Sequence, residues 1–340
     1  MRNDRRRFLQ ASGAVAAAST LAAQGASAQT PAPTALRANP DQPLPKNMTL
    51  ATIERNGRLG LGIRTAGGVL DVAAAEAEYK TGAPTIMEDL IARKGDIAGL
   101  QKLADRAKAG EAAKFIIAEN AIKFGPLVSS APKILCIGLN YRAHVAEANQ
   151  KEPTTPIFFN KFNSSLNAHN GAITVTKENA KNFDYEAELV LIMSKGGRNI
   201  SEANALDHVF GYAVGQDFSA RDLQSATSQW MMGKAGDGWG PIGPWLVTAD
   251  QIDPQALNIE CFVNGEKRQS SNTKMMIFNV RQQIAFLSKH LTLSPGDVIF
   301  TGTPEGVIAG YAKDKQVWLK AGDKIVTTIE KLGEQVVMLT

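Results

Sequence analysis

Three carboxylates spaced two residues apart are the first sign of chemistry in this chain. They lie in "NFDYEAELVLIM", residues 182–193. In an extended strand, side chains alternate between faces, so Asp184, Glu186 and Glu188 point the same way. Leu189 to Met193 is continuously apolar, which predicts a strand covered on both faces. Unpaired carboxylates are costly to bury, and like charges so close repel. A cation facing them would remove both problems. A further acid, Asp217, ends the apolar run in "GYAVGQDFSARDLQ". Glu186, Glu188 and Asp217 make an all-oxygen set without paired His or Cys, which suits Mg²⁺, Mn²⁺ or Ca²⁺ rather than zinc. A solvated edge strand carrying surface acids is the alternative that the pattern alone leaves open.

A second group lies in "KILCIGLNYRAHVAEANQ", where an apolar strand ends at a Gly-Leu-Asn turn and a helix begins. His144 and Glu147 are three apart and share one helix face. A carboxylate holding an imidazole makes a general base near neutral pH, although the same spacing also fits a surface pair. His169, His208 and His290 have no such partner. Lys234 sits among Gly, Trp and Met in "QWMMGKAGDGWGPIGPW", where an ammonium is partly desolvated. "SPGDVIFTGTPEGV" places Thr301 and Thr303 on a Gly-rich turn whose N–H groups suit a ligand carboxylate. A plain tight turn fits equally well. The turn lacks the Gly-Lys-Ser/Thr ending of a phosphate-binding loop, so nucleotide binding is unsupported.

These residues need elements to hold them. Apolar runs at 133–139, 156–159, 189–193, 210–214, 242–247, 257–263 and 297–301 predict strands, punctuated by Gly, Pro or Asn. Helices are expected only around 141–149, 202–208 and 277–290. Many strands with few crossover helices imply an α+β, mostly β, mixed core rather than a doubly wound sheet. This region spans 131–340. Before it, residues 47–130 read as a small N-terminal α/β domain. Short strands with Asn-Gly and Gly-Gly turns lead there into two amphipathic helices.

The chain has 340 residues, 44% hydrophobic and 21% charged, the composition of a soluble globular protein. Residues 1–28 read as a signal peptide: a basic start, a mildly apolar Ala-rich stretch and an Ala26-Ser27-Ala28 cleavage site. Arg5 and Arg6, followed by Phe8 and Leu9, resemble the twin-arginine consensus, which implies the Tat export machinery and a periplasmic location. Cleavage removes Arg2, Arg5, Arg6, Arg7 and Asp4, a loss of three positive charges, so the formal net charge falls from +4 to +1. No nucleic-acid footprint and no membrane anchor remain. Residues 29–46 are proline-rich and are expected to form an unstructured leader. Cys136 and Cys261 lie in apolar strands and are expected as buried thiols.

Together "GLNYRAHVAE", "DYEAELVLIM", "GYAVGQDFSARDLQ", "GKAGDGWGPIGPW" and "TGTPEGV" resemble the fumarylacetoacetate hydrolase family in order and spacing. Five matched blocks over residues 133–340 are far more specific than any one of them. The resemblance implies a mixed β-roll-like catalytic domain after a small N-terminal domain, usually in a homodimer. It implies that Glu186, Glu188 and Asp217 hold Mg²⁺, with Mn²⁺ or Ca²⁺ as substitutes. His144 and Glu147 match a water-activating dyad on a lid-like segment, and Lys234 matches an active-site lysine. Arg221, Gln224 and Thr303 match substrate-facing positions. Asp184 would either back the ligands or end the strand in solvent.

The implied activity is metal-dependent hydrolysis of a C–C bond in an acylpyruvate or β-diketo acid, through an enolate stabilised by the metal and Lys234. Isomerase, decarboxylase and hydratase or lyase reactions of 2-oxo acids occur on the same scaffold. A periplasmic protein that only binds oxo acids is the non-enzymatic alternative.

Overall fold

The computed structural model describes residues 38–178 and 180–340. The expected signal segment and residues 29–37 of the expected leader lie outside the described residues. Residues 38–46 of that leader are pinned rather than free. Ala38 bridges Lys94, and the Gln42 carbonyl accepts from Arg93 Nη1 at 2.9 Å.

Two large sheets, beside two two-stranded ones, build the described residues. The larger has ten strands, in the order Ile116–Ile117, Gly68–Asp71, Arg58–Thr65, Thr49–Arg55, Leu246–Thr248, Val209–Gln216, Ala187–Met193, Val298–Phe300, Ile134–Gly138 and Ile157–Lys161. Its one parallel pair joins Val298–Phe300 to Ile134–Gly138, and all other neighbours are antiparallel. The second sheet has five, in the order Glu266–Asn272, Asn258–Val263, Lys324–Ile329, Gly333–Leu339 and Gly171–Ile173. Most expected strands fall where the apolar runs lie.

The Ala187–Met193 strand is buried along its whole length. Leu189 and Leu191 face a core shared with Ile259, Cys261 and Ile325 of the second sheet. Val190 and Ile192 face the other way, into a core with Leu50, Leu61, Phe210 and Phe300. That second core is closed by Leu90, Leu100 and Leu103, which come from helices. The first strands of the chain therefore continue the sheet that carries the acids and share its core.

Side-chain caps set the starts of the two longest helices among the described residues. Asp96 accepts from the Ala98 N–H before helix Ile97–Lys108, and Asn279 with Gln282 forms a capping box before Val280–His290. Residues Glu202–His208, expected as helix, form a 3₁₀ helix. Cys136 and Cys261 are free, buried thiols; burial raises both, that of Cys261 to about 12. No helix among the described residues is long and apolar enough to cross a membrane.

Candidate active site

The acidic motif does not run as one unbroken strand. Phe183–Asp184 pairs with Ser219–Ala220, and the larger sheet's ladder begins only at Ala187. Side chains fill the break. Gln216 Oε1 accepts from the Glu186 N–H at 2.8 Å, and Gln269 Oε1 accepts from the Ala187 N–H at 2.9 Å. Backbone donors at this buried point are thereby satisfied, and the glutamates project inward.

Glu186, Glu188 and Asp217 are all buried, and each offers an oxygen within 4.8 Å of the others. Three cations surround two of them. Lys234 Nζ lies 2.6 Å from Glu186 Oε2 and 3.0 Å from Asp217 Oδ2. Lys161 Nζ lies 2.6 Å from Asp217 Oδ1, and Arg221 Nη1 lies 2.7 Å from Glu186 Oε1. Burial favours a neutral Glu186, but Lys234 and Arg221 outweigh it and hold that carboxyl at about 2. Burial opposes the charge on Lys234 too, yet Asp217 and Glu186 raise it above the usual lysine range.

Glu188 differs. Its one recorded hydrogen bond is from the Gly302 N–H to Oε2, at 2.7 Å, and no side-chain cation among the described residues pairs with it. Burial, Asp217 and Glu186 push it well above the ordinary carboxylate range. This under-compensated carboxylate beside two others is the donor set of a hard divalent cation, so the residues fit the metal that the motif implies.

A buried imidazole comes from helix Arg142–Glu147. Asn140, just before it, donates to the Thr301 and Phe278 carbonyls and accepts from the Phe278 N–H, tying the turn to two other loops. His144 Nδ1 lies 2.7 Å from Glu147 Oε1, and Glu147 Oε2 accepts from the Gly306 N–H at 2.8 Å. An ionised carboxylate can only accept, so in a neutral ring this hydrogen bond places the proton on Nδ1 and leaves Nε2 able to accept one.

A cavity of about 420 Å³ is lined by His144, Glu186, Glu188, Arg221, Gln224, Lys234 and Thr303. Glu147 and Asp217 stand behind that wall, holding His144 and Lys234. All nine expected site residues therefore meet around one space. Thr301 does not join them: its hydroxyl donates to the Leu189 carbonyl at 2.8 Å.

Three further residues build the site: Asp184, which the sequence leaves between backing the ligands and ending the strand in solvent, and Lys161 and Gln269, which it does not single out. Asp184 is fully buried and binds Arg221 Nε at 2.8 Å. Lys161 ends an edge strand and bonds the Lys234 and Trp239 carbonyls as well as Asp217. Gln269 reaches from the second sheet to Thr303 Oγ1 at 2.9 Å. An ionisable or amide residue closing an apolar strand, as in "FFNK", was the one available signal for Lys161.

Residues 133–339 match the family described as fumarylacetoacetate (FAA) hydrolase, C-terminal. The chain belongs to the fumarylacetoacetate hydrolase family. It is 40% identical, over 279 residues, to the mitochondrial oxaloacetate tautomerase fahd2 of Xenopus laevis, covering 81% of this chain and 84% of that one. Fumarylacetoacetate hydrolase from psychrophilic Exiguobacterium antarcticum has a similar structure, with a TM-score of 0.69 and 30% identity over 86% of this chain and 99% of that one. Fumarylpyruvate hydrolase from Pseudomonas aeruginosa, in complex with Mn²⁺ and pyruvate, matches with a TM-score of 0.56 and 35% identity over 62% of this chain and 90% of that one. The mostly β fold with few helices is that of the family, whose members include hydrolases and tautomerases of oxo acids.

Proposed function

We propose that this protein is a divalent-metal-dependent hydrolase that cleaves a C–C bond in an acylpyruvate-type substrate. The observation that carries this reading is the His144–Glu147 pair, bonded at 2.7 Å, on the same cavity as the three-carboxylate cluster. Tautomerisation needs a proton moved on carbon, whereas hydrolysis needs water activated beside a carbonyl. A carboxylate-held imidazole with a free Nε2 supplies the second.

A divalent cation held by Glu186, Glu188 and Asp217 would supply Lewis-acid polarisation of the substrate's oxygens. The protein's own groups do the rest. His144 Nε2 takes a proton from water as the oxygen bonds to the acyl carbonyl carbon. The bond from that carbon to the neighbouring methylene then breaks. Its electron pair passes into the 2-oxo acid fragment as an enolate, which is protonated to the keto acid. Lys234, charged and buried, lowers the energy of the negative oxygen that develops. Glu147 keeps the ring oriented and stabilises the imidazolium formed in between.

The 40% identity to an oxaloacetate tautomerase favours a second reading, enol–keto exchange of a 2-oxo acid in the same cavity. Product analysis separates the two. Purified protein with Mn²⁺ or Mg²⁺ and an acylpyruvate should yield pyruvate and the free acid in equal amounts. The reaction should stop on chelation and slow about 100-fold or more in His144→Ala. Loss of the enol absorbance with no pyruvate formed would replace the hydrolase with the tautomerase.

A further inference from the structure

We infer that Gln269 is a positioning residue, which turns the Thr303 hydroxyl into a fixed hydrogen donor for an oxygen of the bound 2-oxo acid. This rests on the reading of the cavity as a 2-oxo acid site and adds the residue that sets the polarity of one wall.

Gln269 is out of place in its own strand. Glu266–Asn272 is an edge of the second sheet, and Gln269 is its only buried side chain, 1% exposed. Burying an amide costs stability unless both of its ends are hydrogen-bonded. Both are, and the partners fix which end is which. Oε1 accepts from the Ala187 N–H at 2.9 Å, a group that can only donate. Nε2 donates to the Pro304 carbonyl at 2.8 Å, a group that can only accept. The second Nε2 hydrogen therefore goes to Thr303 Oγ1, at 2.9 Å.

A hydroxyl that accepts in this way keeps its own hydrogen for another partner. Among the described residues the Thr303 hydroxyl donates to none, and Thr303 lines the cavity. Thr301, two residues earlier, is the contrast: its hydrogen is spent on the Leu189 carbonyl, and it stands outside the cavity wall. Gln216 makes a similar bridge, from the Glu186 N–H to Thr327 Oγ1, but Thr327 is fully buried away from the cavity. The turn carrying Thr303 is also pressed against the Gln269 strand, since a Cβ on Gly306 would run into the Arg268 carbonyl. The ligand group this arrangement favours is an oxygen that only accepts, as in a carboxylate.

A double-mutant cycle of ligand affinity is the test, and it needs no turnover. The Mn²⁺-loaded full chain is titrated calorimetrically with 2-oxopentanoate. Thr303→Val removes the donor and should weaken binding about tenfold or more. Gln269→Glu keeps an acceptor for Ala187 but has at most one hydrogen where the amide has two. The Pro304 carbonyl competes for it, so the Thr303 hydroxyl turns back toward the new carboxyl. The resulting loss of affinity should be at least about threefold larger with Thr303 present than in the Thr303→Val background. Gln269→Met repeats the cycle without adding an acid, and decides alone should Gln269→Glu fail to fold. Equal losses in the two backgrounds of either cycle overturn the inference and leave Gln269 a brace for Ala187. Thr303→Val binding as tightly as the unmodified chain overturns it too, whatever the Gln269 variants do. Absence of Mn²⁺-dependent binding by the unmodified chain is a different failure, which overturns the 2-oxo acid reading and the inference with it.

Discussion

Asp184 accepts four hydrogen bonds with no exposed surface: from the N–H groups of Tyr185, Ile308 and Ala309 and from Arg221 Nε. It fastens the loop after Gly306 to the guanidinium that braces Glu186. Removing it leaves Arg221 without its main anion and strands two loop donors. Breaking a buried ion pair from one side costs about 3 kcal/mol or more. Asp184→Ala should therefore lose that much stability in urea unfolding, whereas Asp222→Ala, on a half-exposed neighbour, should lose much less. Equal losses would show that Asp184 is not the anchor it resembles. At this scale the sequence displayed the acids of the cluster but not the pairings that support them. Glu186, Glu188 and Asp217 were legible because carboxylates beside a continuous apolar run violate the burial rule within a few residues. Lys161 obeys no local pattern, and Asp184 shares the spacing of the glutamates without revealing its partner. Their partners Asp217 and Arg221 lie far along the chain, so neither role can be read until the strands are paired.

The turn at Gly302 shows how an element sets the geometry of a ligand. This glycine has φ near 95°, and a Cβ there would lie 2.7 Å from the Asn140 Cβ. Its N–H is the donor that orients Glu188. Gly302→Ala forces a disfavoured backbone against a clamped turn, which should cost about 1–3 kcal/mol. Because the same N–H holds a carboxylate of the proposed metal set, Mn²⁺ affinity measured by calorimetry should fall on the order of tenfold. Retained Mn²⁺ affinity in a destabilised variant would separate the turn's folding role from its support of Glu188. Strand positions were readable for a related reason: Leu189–Met193 is buried on both faces, so its apolar run has no interruptions. The 3₁₀ form of Glu202–His208 was not readable, since a seven-residue polar segment between Ser201 and Val209 fits either helix type.

On the scale of the whole molecule, the least legible feature was the joining of the N-terminal strands to the site-bearing sheet. Pairing of Thr49–Leu50 with Leu246–Val247 is a contact between distant segments, and nothing local encodes it. A seam of aromatic residues closes this part of the structure. Phe124 meets Trp245 edge-on at 5.4 Å and His169 at 5.3 Å, and Arg64 stacks on Trp245 at 4.5 Å. His169 Nδ1 accepts from the Val336 N–H at 3.2 Å, which ties the seam to the last strand of the second sheet. That bond requires an unprotonated Nδ1, and burial lowers the imidazole's pKa below its usual 6.5, with Glu119 opposing. The folded state thus binds this proton less readily than the unfolded chain. The stabilising contribution is complete above about pH 6.5 and is lost as pH falls through the folded value. Asn at this position keeps an acceptor and cannot titrate, so His169→Asn should lose less stability than the unmodified chain between pH 7.5 and pH 5. Urea midpoints measured for both proteins at the two pH values decide it: parallel losses would mean that the seam does not sense the proton, and that carboxylates elsewhere carry the whole acid response.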